Sequence, residues 1–388
     1  MTTESKAIIL ITFTLVAIGV VMIYSASGVY ADQIYHNSTY FLKRQILYVF
    51  LGISAFLASS AVDLDFLKRN SKVFIGVSFA LLVMVFIPVL GHSAGGARRW
   101  IQLPFFTFQP VEFAKLSMCI YLSDYLSRKR QPITKGSISV FVPPAVIMFV
   151  LFSLVILQPD LGSCVFLVIL MGILFFLSGI RIRYILIAAT FVVSGIVFLI
   201  LRAPYRMNRI TAYLDPWKDP QGGGFQIIQS FLAFGLGGIN GAGLGKSSQK
   251  LFYLPQSHTD FIFSIIGEEL GLIGALAVVA LFAAFFFFGN RLAQRCKDPF
   301  ARLLAFSLVV FITLQALINL LVAVGLIPTK GLPLPFVSYG GTALVFHMIC
   351  VGLLIAIDKT AARSSKRGKI QLGSSFRQAI QEDTFFRL

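Results

Sequence analysis

AIILITFTLVAIGVVMIYSAS, residues 7–27, is a run of 21 residues without a charge. At 1.5 Å per residue a helix of that length spans about 30 Å, the thickness of a bilayer's hydrocarbon core. No small-residue cleavage pattern interrupts it, so it reads as a retained first span and not as a removable signal. Similar runs recur at 46–62, 73–90, 106–126, 138–157, 162–179, 184–201, 261–288, 303–327 and 338–357. The fourth is the weakest, because Glu112, Lys115 and Asp124 interrupt it. Of the 388 residues, 57% are hydrophobic and only 13% charged, more apolar surface than a soluble core can hide. The expectation is an all-α polytopic membrane protein of about ten transmembrane helices. A large extracytoplasmic loop at about 202–260 joins spans seven and eight.

The basic residues agree with one orientation. With the N-terminus cytoplasmic, the inner loops hold Lys68, Arg69 and Lys72, then Arg128, Lys129, Arg130 and Lys135, and later Arg291, Arg295 and Lys297. Short loops rich in Lys and Arg stay inside, whereas long loops cross largely regardless of charge. Both termini are therefore expected inside, with a transmembrane domain over 1–357 and a basic cytoplasmic tail over 358–388. A short amphipathic piece is expected near 376–385. The formal charge of +17 is accounted for by topology and by attraction to anionic membrane lipids, so nucleic-acid binding need not be invoked. The four cysteines lack metal-like spacing and read as packing residues. No internal repeat of the transporter kind is present.

The 202–260 insert ends in YLPQSHTDFIF, where the chain re-enters the bilayer. Gly241, Gly243 and Gly245 free its backbone, and Lys246 and Lys250 add charge. Among the 16 acidic residues, several fall near the outer face. Glu112 and Lys115, three apart on one helix face, can form an intramembrane ion pair or position a polar substrate. Asp160 in QPDLG is either a turn residue or a site residue, and Asp215 and Asp219 before prolines suit Asx turns. Asp260 can cap the eighth span, or serve as a general base with a pKa raised at an apolar rim. Glu268 and Glu269, about 12 Å deeper at helical rise, read as internally bonded. Arg98, Arg99, Arg202, Arg206, Arg209, Lys246, Lys250 and Lys330 would face the outer rim. There they suit an anionic headgroup such as a phosphate or pyrophosphate. These features suggest a membrane protein that handles an anionic, lipid-linked substrate at its outer face; the reaction does not follow from them.

Longer motifs carry a resemblance. They are YSAS at 24–27, KRQ at 43–45, GARRWI at 96–101, FQPVEFAK at 108–115, QPDLG at 158–162 and LDPWKDPQGGGFQ at 214–226. GLGKSSQKLFYLPQSHTDFIFSIIGEELGLIG at 243–274 and GLIPTKGLPLPFVSYGG at 325–341 complete the set. The chain resembles the SEDS family (shape, elongation, division and sporulation) of peptidoglycan glycosyltransferases, collinearly and over nearly all its length outside the tail. DPW…DP, SSQK and PTKGLPLPF look more like the division branch than the elongation branch.

The resemblance implies a ten-span enzyme that polymerises lipid II into glycan strands at the outer face of the bacterial inner membrane, at the division septum. It makes Asp260 of HTDF the catalytic base for inverting attack by an acceptor sugar 4-hydroxyl, with undecaprenyl pyrophosphate leaving. The substrate-binding set drawn from the matching motifs is Glu112, Lys115, Arg98, Arg99, Asp160, Lys246, Gln249, Lys250, His258, Lys330 and Ser338. A divalent cation, Mg or Mn, is an expected aid to the leaving group; neither an organic cofactor nor a protein-built metal site is expected. The implied partners are undecaprenyl-linked glycan, a monofunctional class B transpeptidase and other divisome membrane proteins. Gln256 stands where the family commonly has Glu, which puts a carboxylate role there in doubt. Ser163 and Thr342 exchange one hydroxyl residue for another. The competing readings are a lipid II flippase, an elongation-type polymerase and a non-catalytic divisome scaffold.

Overall fold

The computed structural model describes residues 1–94, 97–102, 107–129, 138–202, 204–250 and 254–362. The expected amphipathic piece of the tail lies outside them. The helices are α1 (Thr3–Tyr35), α2 (Tyr40–Ser59), α3 (Leu64–Arg69), α4 (Ser71–Met84), α5 (Pro110–Arg128), α6 (Val142–Leu157), α7 (Leu161–Leu177) and α8 (Ile182–Leu201). They continue with α9 (Pro204–Leu214), α10 (Phe225–Gly237), α11 (Ile262–Arg295), α12 (Pro299–Ala323) and α13 (Gly341–Ala362). Each expected span falls on one helix. Five of them, α1, α2, α11, α12 and α13, are by themselves long and apolar enough to cross a membrane. α4, α6 and α7 are shorter, at 14, 16 and 17 residues. α5 begins four residues later than expected, because Pro110 takes the first-turn position where its missing N–H costs nothing. Its charges are tolerated because α5 lies inside the bundle, against α4, α7 and α12.

Before α5 the chain builds a small antiparallel sheet, which the helical pattern gives no hint of. Strands β1 (Gly91–Ala94), β2 (Ala97–Gln102) and β3 (Thr107–Phe108) lie in the order β1-β2-β3. The 202–260 insert is also more ordered than a polar loop. It contains α9 and the apolar α10, which packs along α11. Gly237 makes that contact possible, since a Cβ there would collide with the backbone of Gly267 and Glu268.

The two ends of the bundle are distinct. At one, the Thr2 amide and hydroxyl donate to the Asp358 carboxylate at 3.0 and 2.9 Å, Arg295 pairs with Glu4, and Lys359 Nζ donates to the Ser60 carbonyl. The starts of α1 and the ends of α2, α11 and α13 therefore meet there. The opposite end holds the sheet, the 202–260 insert, the first turn of α11 and the segment 326–340. That segment does not stay at the rim. Leu332, Leu334, Phe336 and Val337 are almost fully buried. Gly19, half-way along α1, sits so close that a Cβ would come within 2.6 Å of the Phe336 carbonyl. Irregular backbone at membrane depth is tolerated only where protein covers it, and here it is covered.

α11 itself is broken at Gly271, whose φ of 68° and ψ of −167° only glycine adopts readily. The break leaves the Glu268 and Glu269 carbonyls and the Leu272 and Ile273 amides without their helical partners. The insert supplies all four. Ala242 and Gly243 N–H donate to the two carbonyls at 2.9 and 3.0 Å, while Leu272 and Ile273 N–H donate to the Gly238 and Ile239 carbonyls at 2.9 and 3.4 Å. Loop and helix are thus one hydrogen-bonded unit.

Candidate active site

Asp260 lies in the turn that leads into α11. The helix takes Phe261 as its N-cap position and has no side-chain cap, so the capping role open to Asp260 in the sequence is not the one it plays. Gln256 opens the turn in a left-handed conformation, φ 57°, and its carbonyl accepts from Thr259 and Phe261 N–H. Its side chain points to the exposed surface. Three successive carbonyls of the turn are then bonded from outside. Tyr339 N–H donates to His258 O at 2.9 Å, Ser338 Oγ to Thr259 O at 2.6 Å, and Asn319 Nδ2 to Asp260 O at 2.8 Å. Ser338 also accepts from Leu334 N–H at 2.8 Å, which fixes its own rotamer. Ser338, expected to bind substrate, therefore joins the HTDF turn to the 326–340 segment.

The Asp260 carboxyl is partly buried beside Gly331, where a Cβ would come within 3.3 Å of Oδ2. Burial pushes its pKa up to about 7; Arg209 and Arg99 pull it back, and Asp160 adds to the rise. Lys330 precedes Gly331 and shares a neighbourhood with Asp160, since both approach the bare Cα of Gly162 to 3.6 Å of an added Cβ. Burial lowers the Lys330 pKa, against the opposing pull of Cys164 and Asp160. Asp160 caps α7, accepting from Ser163 N–H at 3.0 Å and Ser163 Oγ at 2.8 Å. Arg99 on β2 donates to the Gln158 carbonyl at 3.3 Å and to that of Pro159. Asp160 thus acts electrostatically on both Asp260 and Lys330, and Arg99 acts on Asp260.

Other candidates do different work. Glu112 and Lys115 pair at 2.7 Å with almost no exposure, and Lys115 Nζ lies 4.8 Å above the Phe166 ring. Lys115 also donates to Gln315 Oε1 at 3.3 Å, whose amide in turn donates to the Pro333 carbonyl at 3.0 Å. The pair therefore supports the buried 326–340 segment from beneath. Lys250 is buried too: its ammonium bonds Gly245 O at 2.6 Å, Glu269 at 3.0 Å and Ser25 at 3.2 Å. Those three bonds use all of its protons. Glu268 accepts from Ser247 Oγ and from the amides of Ser248 and Gln249, as the internal-bonding reading of the two glutamates anticipates. Gln249 is buried with its Oε1 unpartnered among the described residues. A cavity of about 600 Å³ opens between α1 and this loop, lined by Tyr24, Ser25, Asp32, Leu244, Gly245 and Lys250, away from Asp260. Arg98 and Lys246 are exposed at the same end of the molecule; the side chain of Arg206 lies outside the described residues. His258 is enclosed by the rings of Phe41, Tyr30 and Tyr339, at 4.6, 5.7 and 5.9 Å, and burial lowers its pKa to about 4. It is neutral at pH 7.

Among the described residues no three His, Cys, Asp or Glu side chains gather as a cation site. A divalent ion finds no ligand set built by those residues. Two residues that matter to the geometry, Gln315 and Asn319, went unremarked in the sequence. Their only signal there is a pair of amides four apart in an apolar helix.

The chain matches the FtsW/RodA/SpoVE family of cell cycle proteins over residues 5–363. It belongs to that family. It is similar to a probable peptidoglycan glycosyltransferase FtsW of Geobacter metallireducens, 43% identical over 351 residues covering 90% of this chain and 93% of the relative. Stage V sporulation protein E of Bacillus subtilis is 42% identical over 358 residues, 92% of this chain and 98% of its own. Among solved structures, a chain from a peptidoglycan synthase complex that coordinates polymerization and crosslinking superposes with a TM-score of 0.75 at 26% identity. That match covers 91% of this chain and 97% of the other. A mutant of the rod shape determining protein RodA of Thermus thermophilus gives a TM-score of 0.68, also at 26% identity, with 91% and 96% covered. This FtsW/RodA/SpoVE member is thus a helical, multi-pass membrane protein whose relatives include probable peptidoglycan glycosyltransferases.

Proposed function

We propose that this chain is a peptidoglycan glycosyltransferase that polymerises lipid II at the outer face of the cytoplasmic membrane, during septal wall synthesis. The observation that carries the reading is the carboxyl of Asp260, set near Arg209, Arg99 and Asp160, with its pKa raised to about 7. A general base works best when its pKa lies near the operating pH. In the step, the Asp260 carboxylate takes the proton of the acceptor sugar 4-hydroxyl. The freed oxygen forms a bond to the anomeric carbon of the lipid-linked donor. The bond from that carbon to the pyrophosphate oxygen breaks, and undecaprenyl pyrophosphate leaves with the electron pair. An α-linked donor so yields a β-linked glycan.

Lys330, with Arg98, Arg99 and Lys246 at the same end, supplies positive charge for the pyrophosphate as it departs. Lys250, Glu112 and Lys115 hold the walls of the site and do not reach for the substrate. A Mg or Mn ion taking part would be held by the pyrophosphate, since the described residues offer it no cluster of three ligands. The basic end opposite Asp260 faces the cytoplasm with both termini. The partner we assign is a class B transpeptidase; a chain from a complex that coordinates polymerization and crosslinking shares this fold.

The test is glycan polymerisation from labelled lipid II by the purified protein, alone and with its cognate transpeptidase. Wild type should give polymer, while well-folded Asp260→Ala should give none. Equal polymer from both would remove Asp260 as the base. Lipid II transport without polymer under either condition would support a flippase instead.

A further inference from the structure

α12 carries two amides in an otherwise apolar stretch, Gln315 and Asn319, one helical turn apart on one face. They hold consecutive carbonyls of the buried segment: Gln315 Nε2 donates to Pro333 O at 3.0 Å, and Asn319 Nδ2 to Leu332 O at 2.8 Å. Asn319 does one thing more. The second hydrogen of the same Nδ2 goes to the Asp260 carbonyl, also at 2.8 Å. One nitrogen thereby ties the HTDF turn to the strand of backbone that carries Lys330 and Gly331. The side chain is 1% exposed, and its Oδ1 has no partner among the described residues. A polar group buried with half its capacity unused is a cost to folding. Packing alone would be served better by Leu at that position, so the benefit must lie in the two bonds.

We propose that Asn319 is a positioning residue, whose amide sets where the Asp260 carboxyl stands against Gly331. Gly331 leaves only 3.3 Å between a would-be Cβ and Asp260 Oδ2. A drift of the turn by a fraction of that distance changes both the reach of the carboxylate to a sugar hydroxyl and its fit against Gly331. Misplacement of a reacting group by about 1 Å can cost on the order of 10²-fold in rate. The inference rests on the reading of Asp260 as the base.

The experiment measures lipid II polymerisation by the full-length chain with its transpeptidase, as kcat, KM and a pH–rate profile, for wild type, Asp260→Ala, Asn319→Ala and Asn319→Asp. Asn319→Ala should lower kcat about 10- to 100-fold with KM within about twofold, and move the acid limb of the profile. Asn319→Asp keeps the shape but, once ionised, turns an acceptor toward two carbonyl oxygens. Its rate should fall away as pH rises, where the wild type reaches its plateau. If Asn319→Ala cannot be isolated folded, Asn319→Ser, which keeps one short donor, takes its place and should show the same changes in smaller measure. Folded Asn319 variants with wild-type kcat and acid limb, beside an inactive Asp260→Ala, overturn the positioning role. An active Asp260→Ala removes the base itself, whatever the Asn319 variants do.

Discussion

Asp260 is the residue proposed as the base, and its raised pKa has two separable consequences. As a base it must be ionised, so the polymerisation rate should climb through a step centred near pH 7 and level off above it. A rate flat from pH 5 to 8 would exclude Asp260 as the proton acceptor. The second consequence is for stability. A carboxyl whose folded pKa lies above its unfolded value of about 3.9 holds its proton more tightly in the native state. Its contribution is best below the unfolded pKa and declines as pH rises toward 7. Asp260→Asn removes that titration, so its apparent melting temperature should exceed that of wild type by more at pH 8 than at pH 4.5. An equal offset at both pH values would show that the carboxyl does not titrate in this window. His258 runs the other way. Its pKa lowered to about 4 gives stability that is present above about pH 6.5 and is lost as pH falls toward 4. At this scale the sequence marks which residues are unusual and not what they touch. Asp260 stood out beside HTDF, but Lys250 looked like a free outer cation until Glu269, 19 residues away, met it. Asn319 was invisible because an amide in an apolar span means something only once two carbonyls are seen at its Nδ2.

The working unit at the next scale is the pair of α11 with the 238–243 loop. Gly271 breaks the helix, and four hydrogen bonds from the loop replace those the break removes. Glu268 and Glu269, just before the break, reach back to hold Ser247, Ser248, Gln249 and Lys250. The glycine-rich run and the acidic pair, some 25 residues apart in the chain, are two halves of one joint. Gly271→Ala would place a Cβ against Gly241 N and Ile239 O, in a backbone region that costs other residues about 1–3 kcal/mol. The variant should melt at a lower temperature and expose the 238–250 loop to protease. An unchanged cleavage pattern would mean that the loop does not depend on the break. Hydropathy locates α11 well, because 34 residues of mostly apolar side chain need no context. It cannot locate the break, since a glycine in a helix is usually only a weak point. The sheet over 91–108 was missed for a related reason. Its strands are short, and their pairing is set by each other and not by a period in the sequence.

For the molecule as a whole, the pattern of apolar runs is legible to within a few residues because bilayer thickness imposes it from outside. The depth of the 326–340 segment is not legible, since Pro328, Pro333 and Pro335 break it into what reads as a rim loop. The contact with Gly19 and the amides of α12 carry it inward. The two ends of the bundle provide a direct check on orientation. The four native cysteines, at 119, 164, 296 and 350, are all buried, so a single introduced cysteine can be read against a silent background. Trp217, 63% exposed, lies by the Asp260 end, because Tyr213 nearby donates to the Leu326 carbonyl at 2.8 Å. Lys297 is exposed between α11 and α12 at the end where Arg295 meets Glu4. If the proposed orientation holds, with the basic loops inside, Trp217→Cys should react with a membrane-impermeant maleimide in intact spheroplasts. Lys297→Cys should react only after the membrane is opened. The reverse labelling would invert the protein in its membrane and place Asp260 in the cytoplasm, where polymerisation of an outer-face wall could not occur.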